Sequence, residues 1–390
     1  MPEPAIRAPN DAVVTITASA IRGTDLHMIR STVAGMVPGT ILGHEAVGTV
    51  EAIGPGVRNL SIGDRGVVPF TIGRGYCSYC RAGHYAQCDN ADPNGPAAGT
   101  AFFGSPKDTG PINGLQAEYA RIPFAHVGLV KLPESISDDD ATMLSDIFPT
   151  GYFGTKMAEV GDGDTAVVFG RGPVGQFTIA SAKMLGAGRV IAVDTIASRL
   201  ELARAQGAEM IDYDREDPIA TIKDLTGGIG ADRIIDAVGA DANRPSSGPA
   251  AEKAGQRAKQ FDQEVKRVAP ETNPQGDNWH PGDAPSQVLA WSVEAVAKAG
   301  SIGIVGVYPP AAQIFPIGQA MNKNVTIKMG NTNHRHYLPR LVVMVESGVV
   351  RPSKILSQCE PMTDVIAAYE AVDTRQPGWV KVELVPAATA

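Results

Sequence analysis

Short apolar runs broken by Gly and Pro dominate the first third of the chain. Residues 12–17, 46–53, 66–70 and 117–122 each hold apolar side chains over a strand's length, and their spacing predicts a compact β-rich domain. After Pro149 the rhythm changes. Residues 165–169 form an apolar run, 174–185 carry helical periodicity, and 189–193 are apolar again before Asp194, which together predict a βαβ unit. Residues 196–206 before Gly207 read as a helix and its stop, 233–238 as a strand, and 288–298 before Gly300 as another helix with its stop. Runs at 301–307 and 325–329 complete a largely parallel sheet. Residues 240–285, rich in Pro, Gly, Asn and charge, interrupt this alternation. Inside them Ala254, Ala258, Phe261, Val265 and Val268 recur at helical spacing, which predicts a docked amphipathic helix; the alternative is a partly disordered surface insertion.

Composition narrows the picture further. With 390 residues, 43% hydrophobic and 19% charged, the chain is long enough for two cores. A net charge of −8 without any block of Lys or Arg excludes an electrostatic footprint for nucleic acid or an anionic membrane. No run approaches the ~18 apolar residues of a spanning helix, and Met-Pro-Glu-Pro-Ala-Ile-Arg offers no signal-peptide stretch, so the expected location is the cytoplasm. Three of the four cysteines, Cys77, Cys80 and Cys88, crowd together, which points to metal rather than disulfides. Cys359 stands alone and is expected as a small buried apolar residue.

The strand at 165–169 runs into Gly170-Arg171-Gly172-Pro173-Val174-Gly175 at the start of a helix. In that context glycines permit a tight turn and close backbone approach, and the helix N-terminus favours the phosphates of a dinucleotide. Asp194 follows at the end of the next strand, where a carboxylate accepts ribose hydroxyls and repels a 2′-phosphate. That favours NAD(H) over NADP(H), while a helix-capping role for Asp194 is the competing reading. Arg199 either flanks the adenosine or is a solvated helix residue, and Arg171, at a variable position of the turn, is expected to point to solvent, with a place near the pyrophosphate as the alternative.

Four segments carry a family likeness: Ile21-Arg22-Gly23-Thr24-Asp25-Leu26-His27, Gly43-His44-Glu45-Ala46-Val47-Gly48, the Cys77-x-x-Cys80 lobe, and Ser145-Asp146-Ile147-Phe148-Pro149-Thr150-Gly151. With the glycine turn, they resemble the zinc-dependent alcohol dehydrogenases of the medium-chain dehydrogenase/reductase superfamily. The last segment and the long insertion are similar to the glutathione-independent formaldehyde dehydrogenase branch. The resemblance implies an α/β fold: a doubly wound Rossmann sheet plus a GroES-like β-rich catalytic domain. Its expected boundaries are 1–147 for the catalytic domain, 148–330 for the NAD-binding domain with its insertion at 240–285, and 331–390 for a return to the catalytic domain. It implies a catalytic zinc on His44 and Asp146 with Glu45 as a second carboxylate, and a proton relay through Thr24 and His27. It also implies nicotinamide contacts from Val238, Gly239, Val305 and Val307, besides Gly170, Gly172, Pro173, Val174 and Gly175 at the pyrophosphate. A second zinc on Cys77, Cys80 and Cys88, a primary alcohol or small aldehyde as substrate, and a homodimer or homotetramer complete the expectation.

The chain departs from the pattern in three places. The family's first catalytic ligand is a Cys at the position of Arg22, and its fourth structural thiolate stands at the position of Arg74. A guanidinium has no lone pair to give and stays protonated. Both sites are thus one thiolate short. Zinc still held by His44, Glu45 and Asp146, an arginine that takes over part of its electrostatic task, and an inactive site all remain open, with strongly reduced metal-dependent activity expected. Two rival functions stay in play: a zinc-free quinone or enoyl reductase, and a non-catalytic NAD-binding protein. His334 and His336 lack an evident third ligand and read as loop or helix-cap residues. Finally, the strand pair with which the family opens has almost no counterpart ahead of residue 12, which predicts an open sheet edge.

Overall fold

The computed structural model describes residues 3–387. They divide into two compact units, one gathering residues 3–28, 35–149 and 331–387, the other residues 29–34 and 150–330. Among the described residues no helix is long and apolar enough to cross a membrane.

The first unit is built on a seven-stranded sheet. Its centre is the strand Ala12–Ile21, whose β-branched, almost wholly buried run suits a strand covered on both faces. Along one side it pairs antiparallel with Ala46–Ile53; along the other it pairs with Tyr119–Ile122 through its first half and with Val382–Val385 through its last residues. The open edge expected beside it is thus filled from two distant parts of the chain. Val14, Ile16, Val50, Val68, Phe103, Leu115 and Leu129 make the core of this unit. Cys359 corrects an expectation: it is exposed, on the edge strand Gln358–Pro361.

The second unit is a six-stranded parallel sheet. The first three of its strands in chain order, Thr165–Phe169, Arg189–Asp194 and Glu209–Asp212, run outward to one edge. The next three, Ala231–Asp236, Val296–Ile304 and Thr326–Met329, run outward to the other. Strand order therefore reverses between Thr165–Phe169 and Ala231–Asp236, the switch point of a doubly wound fold where dinucleotides sit. The helix expected to stop at Gly300 ends earlier: it spans Gln287–Ala295, and Val296 already belongs to the next strand.

The insertion folds as two helices, Gly248–Gln256 and Ala258–Val268. Phe261 is fully buried against Ala254 and Ala284, with the guanidinium carbons of Arg257 and Arg244 4.6 and 5.8 Å from its ring centre. Glu264 accepts hydrogen bonds from the Ser286 backbone N–H at 3.0 Å and its hydroxyl at 2.9 Å, tying the helix back to the sheet unit. Two of the five apolar positions, Ala258 and Val265, remain half-buried.

Arg171 overturns its expected place in solvent. It is fully buried, with Nη2 donating to the Ile211 carbonyl at 3.1 Å while Nε and Nη1 have no hydrogen-bond partner. Burial pulls its guanidinium down to about 10, against the opposing pull of Asp194 and Asp212. Leaving buried donors unmade costs about 1–3 kcal/mol each. Replacement by the unbranched, apolar methionine, R171M, is therefore expected to raise the thermal midpoint by about 2–5 °C in calorimetry. A lower midpoint would show that the buried charge is net stabilising.

Candidate active site

The side chains of the candidate site come from four separate stretches of the first unit. Arg22 sits between the central strand and the short helix Gly23–Ile29, whose first turn is fixed by the Arg22 backbone N–H donating to Asp25 Oδ2 at 2.9 Å. Thr24 and His27 lie three residues apart on that helix, hence on one face, and both are buried. His44 precedes the strand Ala46–Ile53, Asp146 separates the helices Asp138–Ser145 and Ile147–Met157, and His334 opens the helix His334–Glu346.

These residues converge. Arg22 Nη1 is ion-paired with Asp146 Oδ2, donates to Thr24 Oγ1 at 3.1 Å and lies 3.4 Å from His44 Nε2. His44 Nε2 is also 3.4 Å from Asp146 Oδ2, and its Nδ1 is 3.1 Å from Asp25 Oδ1. Phe70 closes one side: its ring centre is 4.5 Å from that of His44, 5.6 Å from that of His334 and 5.8 Å from the Arg22 guanidinium carbon. Asp146 is completely buried. Burial opposes its charge, but the Arg22 guanidinium, then His334 and His44, hold its carboxyl well below the usual carboxylate range. Burial likewise opposes charging His44, yet Asp25 and Asp146 prevail and raise the imidazole to about 9.

Two residues differ from their expected roles. Glu45, expected as a second metal carboxylate, turns away: its Oε2 pairs with Lys381 Nζ, both side chains fully buried. His334, expected as a capping residue, is instead a partner of the site, its Nε2 2.8 Å from Asp146 Oδ1 and its Nδ1 2.9 Å from the Thr332 carbonyl. Sequence spacing misses both contacts because Lys381 and His334 come from the C-terminal return. Asp25 and Phe70 were missed as well, although Asp25 stands inside the first motif.

The arrangement does not fit a zinc ion. A metal would need the space between His44 and Asp146, which the Arg22 guanidinium fills, and a guanidinium has no lone pair to offer in its place. Among the described residues the only group of three or more His, Cys, Asp or Glu side chains placed to share a metal is Cys77, Cys80 and Cys88. Their lobe keeps Cys77 Sγ 3.5 Å from Cys80 Sγ and 4.0 Å from Cys88 Sγ. Burial and the neighbouring thiols push Cys80 up to about 12. Cys77, nearer solvent, is lowered by N–H donors from Cys80 and Asp89 that outweigh its burial. Arg74 contributes only its backbone N–H, 3.3 Å from Cys88 Sγ; its side chain is exposed. The lobe packs on the return helix: a Cβ at Gly83, where φ is +89°, would lie 3.0 Å from His336 Nδ1.

The residues expected to hold a coenzyme lie in the second unit, and the turn there does fit a dinucleotide. Gly170 has φ +82°, and a Cβ on Gly175 would fall 1.9 Å from the Gly170 carbonyl, so both positions demand glycine. Gly172 has open space beside it at the N-terminus of the helix Pro173–Met184, which Val174 also enters. Asp194 Oδ2 accepts from the Arg171 N–H at 2.8 Å, and Oδ1 from the Thr195 and Ile196 N–H groups at 2.8 and 3.0 Å. Both expected roles thus meet in one carboxylate, which steadies the turn and the next helix while Arg199 favours its charge. Val238, Val305 and Val307 are half-buried at the strand ends, where Gly239 and Val307 form an isolated bridge.

Residues 8–134 match the alcohol dehydrogenase GroES-like domain, and residues 173–257 match the zinc-binding dehydrogenase family. A zinc-type alcohol dehydrogenase-like protein of Bacillus subtilis, AdhB, is 35% identical over 99% of this chain and 96% of its own length. The chain belongs to the zinc-type alcohol dehydrogenase family. The alcohol dehydrogenase of Thermus sp. ATN1 is 30% identical and superposes with a TM-score of 0.80 over 99% of this chain and 95% of its own. A glutathione-independent formaldehyde dehydrogenase of Pseudomonas aeruginosa is 40% identical, over 59% of this chain and 58% of that protein. This zinc-type alcohol dehydrogenase-like oxidoreductase thus has the GroES-like and Rossmann folds of its family, which acts on small molecules.

The Glu45–Lys381 pair gives a direct test of the packing around the site. Removing one partner of a buried pair costs about 3–5 kcal/mol because the other charge is left without compensation. K381M should lower stability by that amount in urea unfolding, and K381M combined with E45Q should regain part of it. Equal stability of K381M and the unchanged protein would contradict the pairing.

Proposed function

We propose that this protein is an NAD-linked oxidoreductase interconverting a small primary alcohol and its aldehyde, slowed by an arginine at its catalytic metal position. The observation that carries this reading is Arg22 lodged between His44 and Asp146 in an otherwise complete alcohol dehydrogenase frame. In the proposed reaction the glycine turn and Asp194 hold the dinucleotide, which supplies or accepts the hydride. Arg22 directs a fixed positive charge toward the substrate oxygen. Thr24, whose Oγ1 already accepts from Arg22, has its own proton free to donate to that oxygen, and His27 on the same helix face carries a proton onward.

Magnitudes support the proposed slowing. A zinc-bound water has a pKa of about 7 against 15.7 in bulk. A guanidinium polarises an oxygen through hydrogen bonds alone and does not approach that shift. The frame awaits one thiolate, and Arg22→Cys restores the missing donor while removing the competing cation.

The expected outcome is that purified R22C binds about one more zinc per chain than the unchanged protein and turns over ethanol or formaldehyde with NAD at least about tenfold faster. Metal analysis and NADH absorbance measure the two effects separately. Unchanged zinc and unchanged rates would sink the proposal. Turnover at full rate in metal-free, unchanged protein would favour the zinc-free reductase instead.

A further inference from the structure

Residues of the helices Pro218–Leu225, Gly248–Gln256 and Gln287–Ala295, all in the second unit, line a cavity of about 390 Å³ counted to its open mouth. Small-molecule sites commonly hold about 300–1,000 Å³. One wall belongs to the insertion, and none of the residues expected to hold a coenzyme takes part in the lining.

Much of the lining is carbon. Ile219, Ala250, Ala254 and Trp291 are buried and face the cavity with aliphatic groups and an indole. Gln287 lies among them. It is 4% exposed, yet its side-chain amide has no hydrogen-bond partner among the described residues. Buried amides are almost always satisfied, so this donor and acceptor are available to an occupant.

The charged groups around the cavity are unequally matched. Asp217 is fully engaged: Oδ1 accepts the Ile219 and Ala220 N–H groups at 3.0 and 3.2 Å, and Oδ2 pairs with Lys253 Nζ. Asp217 first, and Glu294 after it, raise the Lys253 ammonium above its usual value against the effect of burial. One lysine thus answers both carboxylates. Arg257 has no such partner. Half-buried over the Phe261 ring, it makes one hydrogen bond, from Nη2 to Ser286 Oγ at 2.9 Å, and no ion pair. The buried carboxylate of Glu264 is met instead by Ser286 and the Gln260 amide.

A guanidinium presents its remaining donors in a fork that matches a carboxylate. The carbon lining, in turn, selects an acid with an apolar body over an inorganic anion. We infer that this cavity is a second ligand site, separate from the coenzyme turn, for a small monocarboxylate with an aliphatic or aromatic body, its charge held by Arg257 and the Gln287 amide.

The test is a calorimetric titration of the full-length protein with phenylacetate and, in parallel, with phenylacetamide, which keeps the shape and loses the charge. Phenylacetate should bind one to one with a Kd of about 1 mM or tighter, and saturating NADH should leave that value unchanged. Phenylacetamide should bind at least about tenfold more weakly, and R257M should weaken phenylacetate by a similar factor while leaving the amide unaffected. Absence of saturable phenylacetate binding, equal affinity for the acid and the amide, or unaltered affinity in R257M would each overturn the inference. So would displacement of phenylacetate by NADH, which would put the acid in the coenzyme site. The comparison of acid with amide uses the unchanged protein, so it stands even if R257M fails to fold.

Discussion

Lys381 is the clamp on which the first unit's active region depends. Fully buried, it pairs with Glu45 and donates to the Ile21 carbonyl at 3.1 Å, so one ammonium from the C-terminal return grips the two residues beside Arg22 and His44. A buried charge of this kind is tolerable only when hydrogen-bonded on several sides. The pairing of Val382–Val385 with the end of the central strand supplies the register that delivers it there. The position of His44 opposite Arg22 thus rests on residues more than 300 positions further along the chain.

Against that fixed frame, the ion pair between Arg22 and Asp146 changes the chemical character of the centre rather than its shape. A divalent metal would share its charge among donor atoms and leave one position for substrate. Here the positive charge is delivered by the chain itself, and Asp146 is held from the opposite side by His334. The carboxylate, ion-paired with Arg22 on one side and hydrogen-bonded by His334 on the other, no longer behaves as a free ligand.

The sequence made the architecture legible because it repeats physical rules at short range. The glycine turn announces itself through Gly170 and Gly175, which pack too tightly for any side chain, and Asp194 follows at the strand end where a carboxylate organises backbone N–H groups. What spacing does not disclose is long-range pairing. Nothing near Glu45 indicates that Lys381 will neutralise it, and nothing near His334 indicates Asp146. Arg171 misled for a related reason: arginine is usually solvated, and only the packed surroundings of Ile211 reveal a buried guanidinium. In the insertion, periodicity located the buried Phe261 but not the division into two helices.

The helix that begins at His334 touches two places of very different chemistry. Its first residue steadies Asp146, while His336 rests on Gly83 in the thiol lobe, and Asn333 just ahead of it accepts the Ala86 N–H at 3.0 Å. Three consecutive-to-near positions therefore act as a short lever with one end in each centre. One short stretch of chain thus fixes both the imidazole behind Asp146 and the packing of the thiol lobe, so a change in its length or register would disturb two chemically unrelated places at once.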